Sequence, residues 1–121
     1  MILVDTSIWA DHLRRADKAL SVRLEAGTVL MHPFVIGELA MGHLPKRAAI
    51  LSGLQKLPAA VVASASEVLG LIDRAELAGS GVGYIDAHLL ASACLSGARL
   101  ATRDRRLQAV AERLGLLARL D

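Results

Sequence analysis

Short apolar runs alternate along the chain with longer segments that have helical periodicity. The apolar runs are rich in β-branched and aliphatic residues, and they predict short strands at 2–4, 28–31, 60–62, 99–102 and 116–118. The segments between them predict helices at about 6–15, 18–26, 33–41, 46–56, 64–78, 84–96 and 104–114. This alternation indicates an α/β fold with a mostly parallel sheet that helices cover on both faces.

Chain length and charge distribution predict one compact domain over residues 1–121. The longest stretches without a charged residue, 26–37 and 87–98, have twelve residues each. A membrane-spanning helix needs about 20, so we expect no contact with a membrane. The first residues lack the basic segment of a signal peptide, and the single cysteine, Cys94, excludes an internal disulfide. We therefore expect a soluble cytoplasmic protein.

Two acidic residues lie where predicted strands end. Asp5 directly follows the first strand, and Asp104 comes two residues after the strand that ends at Thr102. In parallel sheets, functional groups gather beyond the carboxyl ends of the strands. Each residue also has a plain structural interpretation, because an aspartate in this position can cap the following helix.

Two further acids, Glu38 and Asp86, are isolated charges in apolar segments. The helical neighbours of Glu38 include Phe34, Val35 and Met41, which predicts that Glu38 lies on a buried stripe. A carboxylate is costly to bury without a positive partner, and neither segment provides a Lys or Arg. A bound metal ion is the simplest compensation.

These four carboxylates form an oxygen-only ligand set, which favours Mg²⁺, with Mn²⁺ as the alternative, over zinc. Such ions activate water and neutralise charge during phosphodiester hydrolysis. Without the four acids, 14 basic residues face eight acidic ones, and this surplus suits a polyanionic substrate. An ordinary Arg-rich surface is the alternative interpretation. Arg103, Arg105 and Arg106 flank Asp104, where they either contact RNA phosphates or form a solvated helix start.

Four segments together resemble PIN domains, and in particular the VapC-type toxins of VapBC toxin–antitoxin pairs. In order along nearly the whole chain they are 4–9 (VDTSIW), 36–39 (IGEL), 84–88 (YIDAH) and 100–107 (LATRDRRL). The resemblance implies a three-layer α/β/α sandwich with an acidic pocket at the carboxyl edge of its sheet. It also implies an endoribonuclease that cuts structured RNA such as tRNA or rRNA.

The resemblance further assigns roles to the matching residues. Asp5, Glu38 and Asp86 would ligate Mg²⁺ or Mn²⁺, and Asp104 would ligate directly or through water. The hydroxyls of Thr6, Ser7 and Thr102 would support the pocket. As partners it implies an antitoxin that blocks the pocket and a second copy of the chain in a homodimer.

Two other functions compete with the nuclease hypothesis. A non-catalytic RNA- or protein-binding PIN module would keep the fold, although loss of an acid would be its sign and all four acids are present. A receiver-like phosphoacceptor domain would have paired acids after the first strand and a late lysine. This chain has Asp5 alone there and no lysine after Lys56. The four histidines are scattered, which favours surface or packing roles over a metal site.

Overall fold

A computed structural model of the protein describes residues 1–120, and its regular elements follow the predicted order. The strands are β1 (Ile2–Val4), β2 (Val29–Leu30) and β3 (Arg99–Ala101). The helices within these residues are α1 (Thr6–Arg14), α2 (Lys18–Glu25), α3 (Pro33–Ala40), α4 (Arg47–Gln55), α5 (Ala65–Arg74), α6 (Tyr84–Leu95) and α7 (Arg105–Arg113). The predicted α/β class is confirmed.

The sheet is parallel, with β1 in the centre and the strand order β2-β1-β3. Ile2 and Leu3 of β1 pair with Val29 and Leu30, and on the other side Leu3 pairs with Leu100. All three residues of β1 are buried, as expected for a central strand covered on both faces.

Two predicted strands are wrong as regular elements. The segment 60–62 forms no regular strand, and an isolated bridge pairs Met31 with Ala59, the residue before that segment. The reason is that the Val61 N–H donates to Ser96 Oγ, at the C-cap of α6, at 2.9 Å and so does not continue the ladder. At 116–118 a single bridge joins Leu117 to Leu100. Each edge of the sheet is therefore extended by one isolated bridge.

Helices cover the sheet on both faces. The chain leaves β1 toward β2 and the Ala59 bridge, then passes β1 again to reach β3. With right-handed crossovers, these opposite directions place α1–α4 on one face and α5–α6 on the other. Contacts of α1 with α3, of α3 with α4, and of α5 with α6 agree with this arrangement. The core between the layers is aliphatic, with Trp9 buried in it.

Helix boundaries match the prediction to within one or two residues except at α5. That helix ends at Arg74, four residues before its predicted end, because Glu76 has a left-handed backbone conformation with φ 53°. Within residues 1–120, no helix has the length and apolar character to cross a bilayer. Helices α1, α6 and α7 begin at the carboxyl edge of the sheet, which is where functional residues of parallel sheets gather.

Candidate functional site

Three helix N-termini meet at the carboxyl edge of the sheet, and each carries one of the predicted aspartates. Asp5 and Asp104 are the N-caps of α1 and α7; Asp5 directly follows β1, and Asp104 comes three residues after the end of β3. Asp86 is in the first turn of α6, whose N-terminus reaches the same edge because α6 runs back along the parallel sheet into β3. Helix N-termini favour negative charge, so this edge suits both carboxylates and phosphates.

Asp5 is the most firmly held of these acids, with only 6% of its surface exposed. Its Oδ1 accepts a hydrogen bond from the backbone N–H of Thr6 at 2.8 Å. Its Oδ2 accepts from Ser7 Oγ at 2.9 Å and from Thr102 Oγ1 at 2.7 Å. The two hydroxyls that the resemblance assigned to support therefore fix the orientation of this carboxylate.

Thr102 also links Asp5 to Asp104. Its buried hydroxyl donates to Asp5 and accepts a hydrogen bond from the backbone N–H of Asp104 at 3.1 Å. The Asp104 side chain is exposed, and its Oδ1 accepts from Arg106 N–H and Leu107 N–H at 2.9 and 3.1 Å. Both aspartates do cap helices, as the plain interpretation held, and in Asp104 this role occupies one oxygen only.

Glu38 is exposed, so the prediction that it lies on a buried stripe is wrong. The reason is that α3 buries only Val35 and Leu39, while Met41, one turn along, is 89% exposed. Glu38 is nevertheless near the aspartates, because Thr6 Oγ1 donates to its Oε1 at 2.7 Å. The third predicted supporting hydroxyl thus positions Glu38 and not Asp5.

Asp86 is half-buried and lies within the field of the other three acids. Burial raises the pKa of this carboxyl, and the negative charges of Asp5, Asp104 and Glu38 raise it further. A hydrogen bond from Gly83 N–H, 3.3 Å from Oδ2, opposes the rise in pKa. We call Asp5, Glu38, Asp86 and Asp104 the acid cluster, since each contributes to the repulsion felt at Asp86.

Within the described residues, no basic side chain forms an ion pair with the acid cluster. Within residues 1–120, the ion pairs involve Arg14 and Arg103 with Asp11 and Asp17, and none involves a cluster member. Carboxylates gathered at one edge without a counter-charge are the donors that a hard divalent ion prefers. In the same part of the chain, no three His, Cys, Asp or Glu side chains are close enough to hold one ion as they stand. The donor set fits a divalent ion, and its side chains would have to move closer together to share one.

The three predicted RNA-contacting arginines have different surroundings. Arg103 is turned to the far side of α1, where its guanidinium pairs with Asp11 and Asp17. Arg105 is exposed at the start of α7. Arg106 lies against the loop before α6: a Cβ atom at Gly81 would be 2.8 Å from Arg106 Cδ, and Gly81 also has φ 86°. Arg106 is thereby placed beside the loop that leads into Asp86.

A groove of about 400 Å³, which the sequence did not reveal, adjoins the acid cluster. Thr6 and Glu38 belong to its lining, together with Arg14 and His43. Most of the remaining lining is apolar: Ala10, Leu13, Leu39, Leu44 and Pro45. These residues come from α1, α3 and the loop before α4, and their proximity depends on tertiary packing that local patterns do not encode.

Buried histidines join α3 to α6 behind this edge. His32 Nδ1 accepts from Phe34 N–H at 2.9 Å, and Nε2 lies 3.1 Å from Ser92 Oγ. Phe34 in turn packs edge-on against His88, with ring centroids 4.8 Å apart. Burial, assisted by the charge of His88, lowers the pKa of His32 to about 4. The packing role expected for these histidines is therefore observed at His32 and His88.

Comparisons with known proteins show the family and the fold. The PIN-domain family model matches residues 2–113. Ribonuclease VapC32 of Mycobacterium tuberculosis, in strains CDC 1551 / Oshkosh and H37Rv, is 46% identical over 117 residues, covering 96% of this chain and 94% of that protein. Among solved structures, FitAcB from Neisseria gonorrhoeae matches with a TM-score of 0.66 at 20% identity, covering 93% of this chain and 94% of that chain. PAE2754 from Pyrobaculum aerophilum matches with a TM-score of 0.58 at 23% identity, covering 93% and 85%. The two structures bear on the fold alone.

Proposed function

Because the chain belongs to the PIN-domain family, and within it to the VapC type, we propose that it is a metal-dependent endoribonuclease, the toxin of a toxin–antitoxin pair. The observation that carries the metal-dependent part is the acid cluster. Four carboxylates lie near one edge of the sheet, three at helix N-termini, and residues 1–120 provide none of them with a cation. The identity of the reaction as RNA cleavage is supported by the relative named a ribonuclease.

Asp5, Glu38 and Asp86 would hold a divalent ion, Mg²⁺ or Mn²⁺, with Asp104 as a further or indirect ligand. When bound, the ion would activate water and neutralise charge on the phosphate. Asp5 needs no rearrangement, because Ser7 and Thr102 already fix its carboxylate. Glu38 is exposed and held mainly by Thr6, so its longer side chain is the one free to close on the ion.

The RNA backbone would cross this edge of the sheet beside α7. Arg105 and Arg106 are exposed there and carry no ion pair within residues 1–120, so their guanidinium groups are available to phosphate oxygens. By analogy with two-metal hydrolysis, we expect products with 5′-phosphate and 3′-hydroxyl ends. Structured RNA such as tRNA or rRNA remains the substrate class we propose.

A cytoplasmic antitoxin is the partner we propose for the groove, and the toxin itself would be a homodimer. The groove is mainly apolar, and its lining includes two basic residues as well as Thr6 and Glu38. An amphipathic acidic segment lying there would cover the acid cluster. A Leu13→Glu substitution should weaken binding of the small protein encoded beside this gene, measured by calorimetry, while RNA cleavage is retained. Unchanged affinity would contradict this placement.

The nuclease proposal is tested by removing and restoring the metal. Purified protein treated with EDTA should leave a labelled structured RNA intact, and Mg²⁺ or Mn²⁺ should restore cleavage. Mapping of the product ends distinguishes a hydrolytic metal reaction from one that leaves cyclic phosphates. Cleavage that persists in EDTA would refute the proposal, provided that Asp86→Asn, purified identically, shows that no contaminating nuclease is responsible.

One observation favours the non-catalytic alternative: no three acids within residues 1–120 are close enough together to share an ion. A binding module would retain RNA in the presence of Mn²⁺ without cutting it. Calorimetric titration with Mn²⁺ alone tests the first step, metal binding. Saturable binding that is lost in Asp5→Asn supports the metal site, and RNA that is bound but not cut with Mn²⁺ present supports the module.

A further inference from the structure

The loop between β3 and α7 holds residues on both of its faces. Thr102 and Asp104 face the acid cluster, and Arg103 between them points the other way, toward α1 and α2. The backbone N–H of Arg103 donates to Ser7 Oγ at 3.1 Å, and that same hydroxyl donates to Asp5. The backbone of Arg103 is therefore linked through Ser7, by two hydrogen bonds, to Asp5, the best-held acid of the cluster.

The Arg103 guanidinium connects three separate elements. It pairs with Asp11 of α1, and it contacts Asp17 Oδ2, at the N-cap of α2, at 2.6 Å. The other oxygen of Asp17 caps α2 by accepting from Leu20 N–H at 3.0 Å. Arg14 also pairs with Asp11. We call Arg103, Asp11, Asp17 and Arg14 the ion-pair cluster.

Charge in the ion-pair cluster is mutually satisfied. Arg103 lowers the pKa of Asp11, Asp11 raises the pKa of Arg103, and the Leu20 N–H together with Arg103 lowers the pKa of Asp17. A guanidinium that two carboxylates already engage is a poor partner for a phosphate, because binding RNA would first break both pairs. Arg103 thus differs from Arg105 and Arg106, with which the sequence grouped it.

We propose that Arg103 is a positioning residue, which fastens the 102–104 loop to α1 and α2 and so keeps Thr102 and Ser7 on Asp5 and keeps Asp104 at the edge of the acid cluster. This inference rests on the proposed metal-dependent cleavage. It assigns to Asp11 and Asp17 a share in the same task, although neither belongs to the acid cluster. It replaces the prediction that Arg103 contacts RNA.

The partner carboxylates provide the sharpest test, because they separate positioning from RNA contact. Asp17→Asn keeps an oxygen that can cap α2 but removes the charge that Arg103 pairs with. If Arg103 positions the loop, Arg103→Ala and Asp17→Asn should both lower kcat, roughly tenfold to a hundredfold for Arg103→Ala, with KM within about twofold. If Arg103 contacts RNA, Asp17→Asn should lower KM, and Arg103→Ala should raise KM and reduce the salt dependence of binding by about one phosphate contact. That second outcome would overturn the proposal.

A matched control and a readout independent of cleavage complete the experiment. Glu112→Gln makes the same charge change on exposed α7 surface at the end away from the acid cluster, and it should alter neither constant. Calorimetric titration with Mn²⁺ should give an affinity at least several-fold weaker in Arg103→Ala and Asp17→Asn than in the wild type and Glu112→Gln, measured well below each melting temperature. If the wild type binds Mn²⁺ without cutting RNA, the proposed function fails and this titration alone judges Arg103. Equal Mn²⁺ affinities in all four proteins would overturn the positioning role.

Discussion

Helix α1 carries acids of two kinds, one at its N-cap and one near its middle. At its N-cap, Asp5 belongs to the acid cluster, where no cation within residues 1–120 forms an ion pair. Two turns later Asp11 belongs to the ion-pair cluster, where Arg103 and Arg14 neutralise it. The pKa of Asp86 in the first cluster is raised, and the pKa values of Asp11 and Asp17 in the second are lowered. The proposed metal site therefore rests on acids left without a counter-charge, and not on acidic residues alone.

The loop between β3 and α7 connects the two clusters. Its Arg103 belongs to the ion-pair cluster, and the residues on either side of it serve the acid cluster. In the proposed site, the paired charges would hold the loop in place, and the unpaired ones would face the substrate. Like charges held together in a functional site lower the stability of the protein, and favourable interactions in the surrounding structure commonly compensate for this loss.

The largest expected effect comes from Asp5→Asn. The amide has nearly the shape of the carboxylate but lacks its charge, so metal-dependent cleavage should fall by about a thousandfold or more. Cleavage of labelled RNA at saturating Mg²⁺ measures the loss. Asp11→Asn, the same change in the ion-pair cluster, should cost far less, because Arg103 keeps its contact with Asp17. Comparable losses in both variants would break the distinction between the clusters.

Thr102→Val tests how strongly the acid cluster depends on its hydroxyl supports. Valine has the shape of threonine, but it removes the donor to Asp5 and the acceptor for the Asp104 N–H. We expect activity and Mn²⁺ affinity to fall by about tenfold to a hundredfold, and the free energy of unfolding to fall by about 1–3 kcal/mol. Thr102→Ser keeps the hydroxyl and should retain most of both. Wild-type Mn²⁺ affinity in Thr102→Val would show that Asp5 needs no such support.

A third prediction concerns how the free energy of unfolding depends on pH, which should differ between His32, beside the helix of Glu38, and the ion-pair cluster. His32 caps α3, the helix of Glu38, and its pKa is about 4 in the folded protein against 6.5 as a free group. Between these values the unfolded chain binds the extra proton, so the contribution of His32 to the free energy of unfolding should decrease as pH falls from about 6.5 toward 4, by up to about 3 kcal/mol. Protonation of Asp86, whose pKa is raised, acts in the opposite direction. Urea titrations at several pH values measure the slope.

The matched variant for this prediction is His32→Asn. Asparagine retains an acceptor for the Phe34 N–H but does not titrate, so its unfolding free energy should vary less with pH over that range. The ion-pair cluster should contribute little there, because the pKa values of Asp11 and Asp17 are lowered from 3.8 and their stabilisation is lost only at lower pH. Identical slopes in the wild type and His32→Asn would contradict the assignment to His32.

Most of the fold could be predicted from sequence because its signals are local. Periodicity and caps identified the seven helices of residues 1–120, and the buried runs of β1 and β3 were clear. The wrong strand predictions lie in segments whose backbone groups bond to residues distant in the sequence. Val61 and Val62 look like a strand, but each is 51% exposed, and the Val61 N–H bonds to Ser96 of α6. No pattern within 60–62 reveals that competitor.

The candidate site was predicted better from the positions of acids at strand ends than from the cost of burying a charge. The rule that carboxyl ends of parallel strands gather functional groups led to Asp5 and Asp104, and the structure places Asp86 and Glu38 beside them. The argument from buried charge predicted that Glu38 lies on a buried stripe, yet Glu38 is exposed and Asp5 is the buried member. The pairing of Arg103 with Asp11 and Asp17 was missed altogether, because those residues are separated by 92 and 86 positions in the chain.

The smallest expected effect is also the most direct test of the comparison, since one kind of substitution should act with opposite sign in the two clusters. In EDTA at neutral pH, Asp86→Asn removes a charge that burial and three neighbouring acids disfavour, so the melting temperature should rise. Asp17→Asn removes a charge that Arg103 stabilises, so the melting temperature should fall. Each shift should be only about 1–4 °C, because both groups are partly solvated.

Saturating Mn²⁺ should then raise the melting temperature of the wild type and of Asp17→Asn, but not that of Asp86→Asn, since only a protein that binds the ion is stabilised by it. Scanning calorimetry of the three proteins with and without Mn²⁺ measures both effects, and shifts of the same sign in EDTA would show that the acid cluster is not held against its own repulsion.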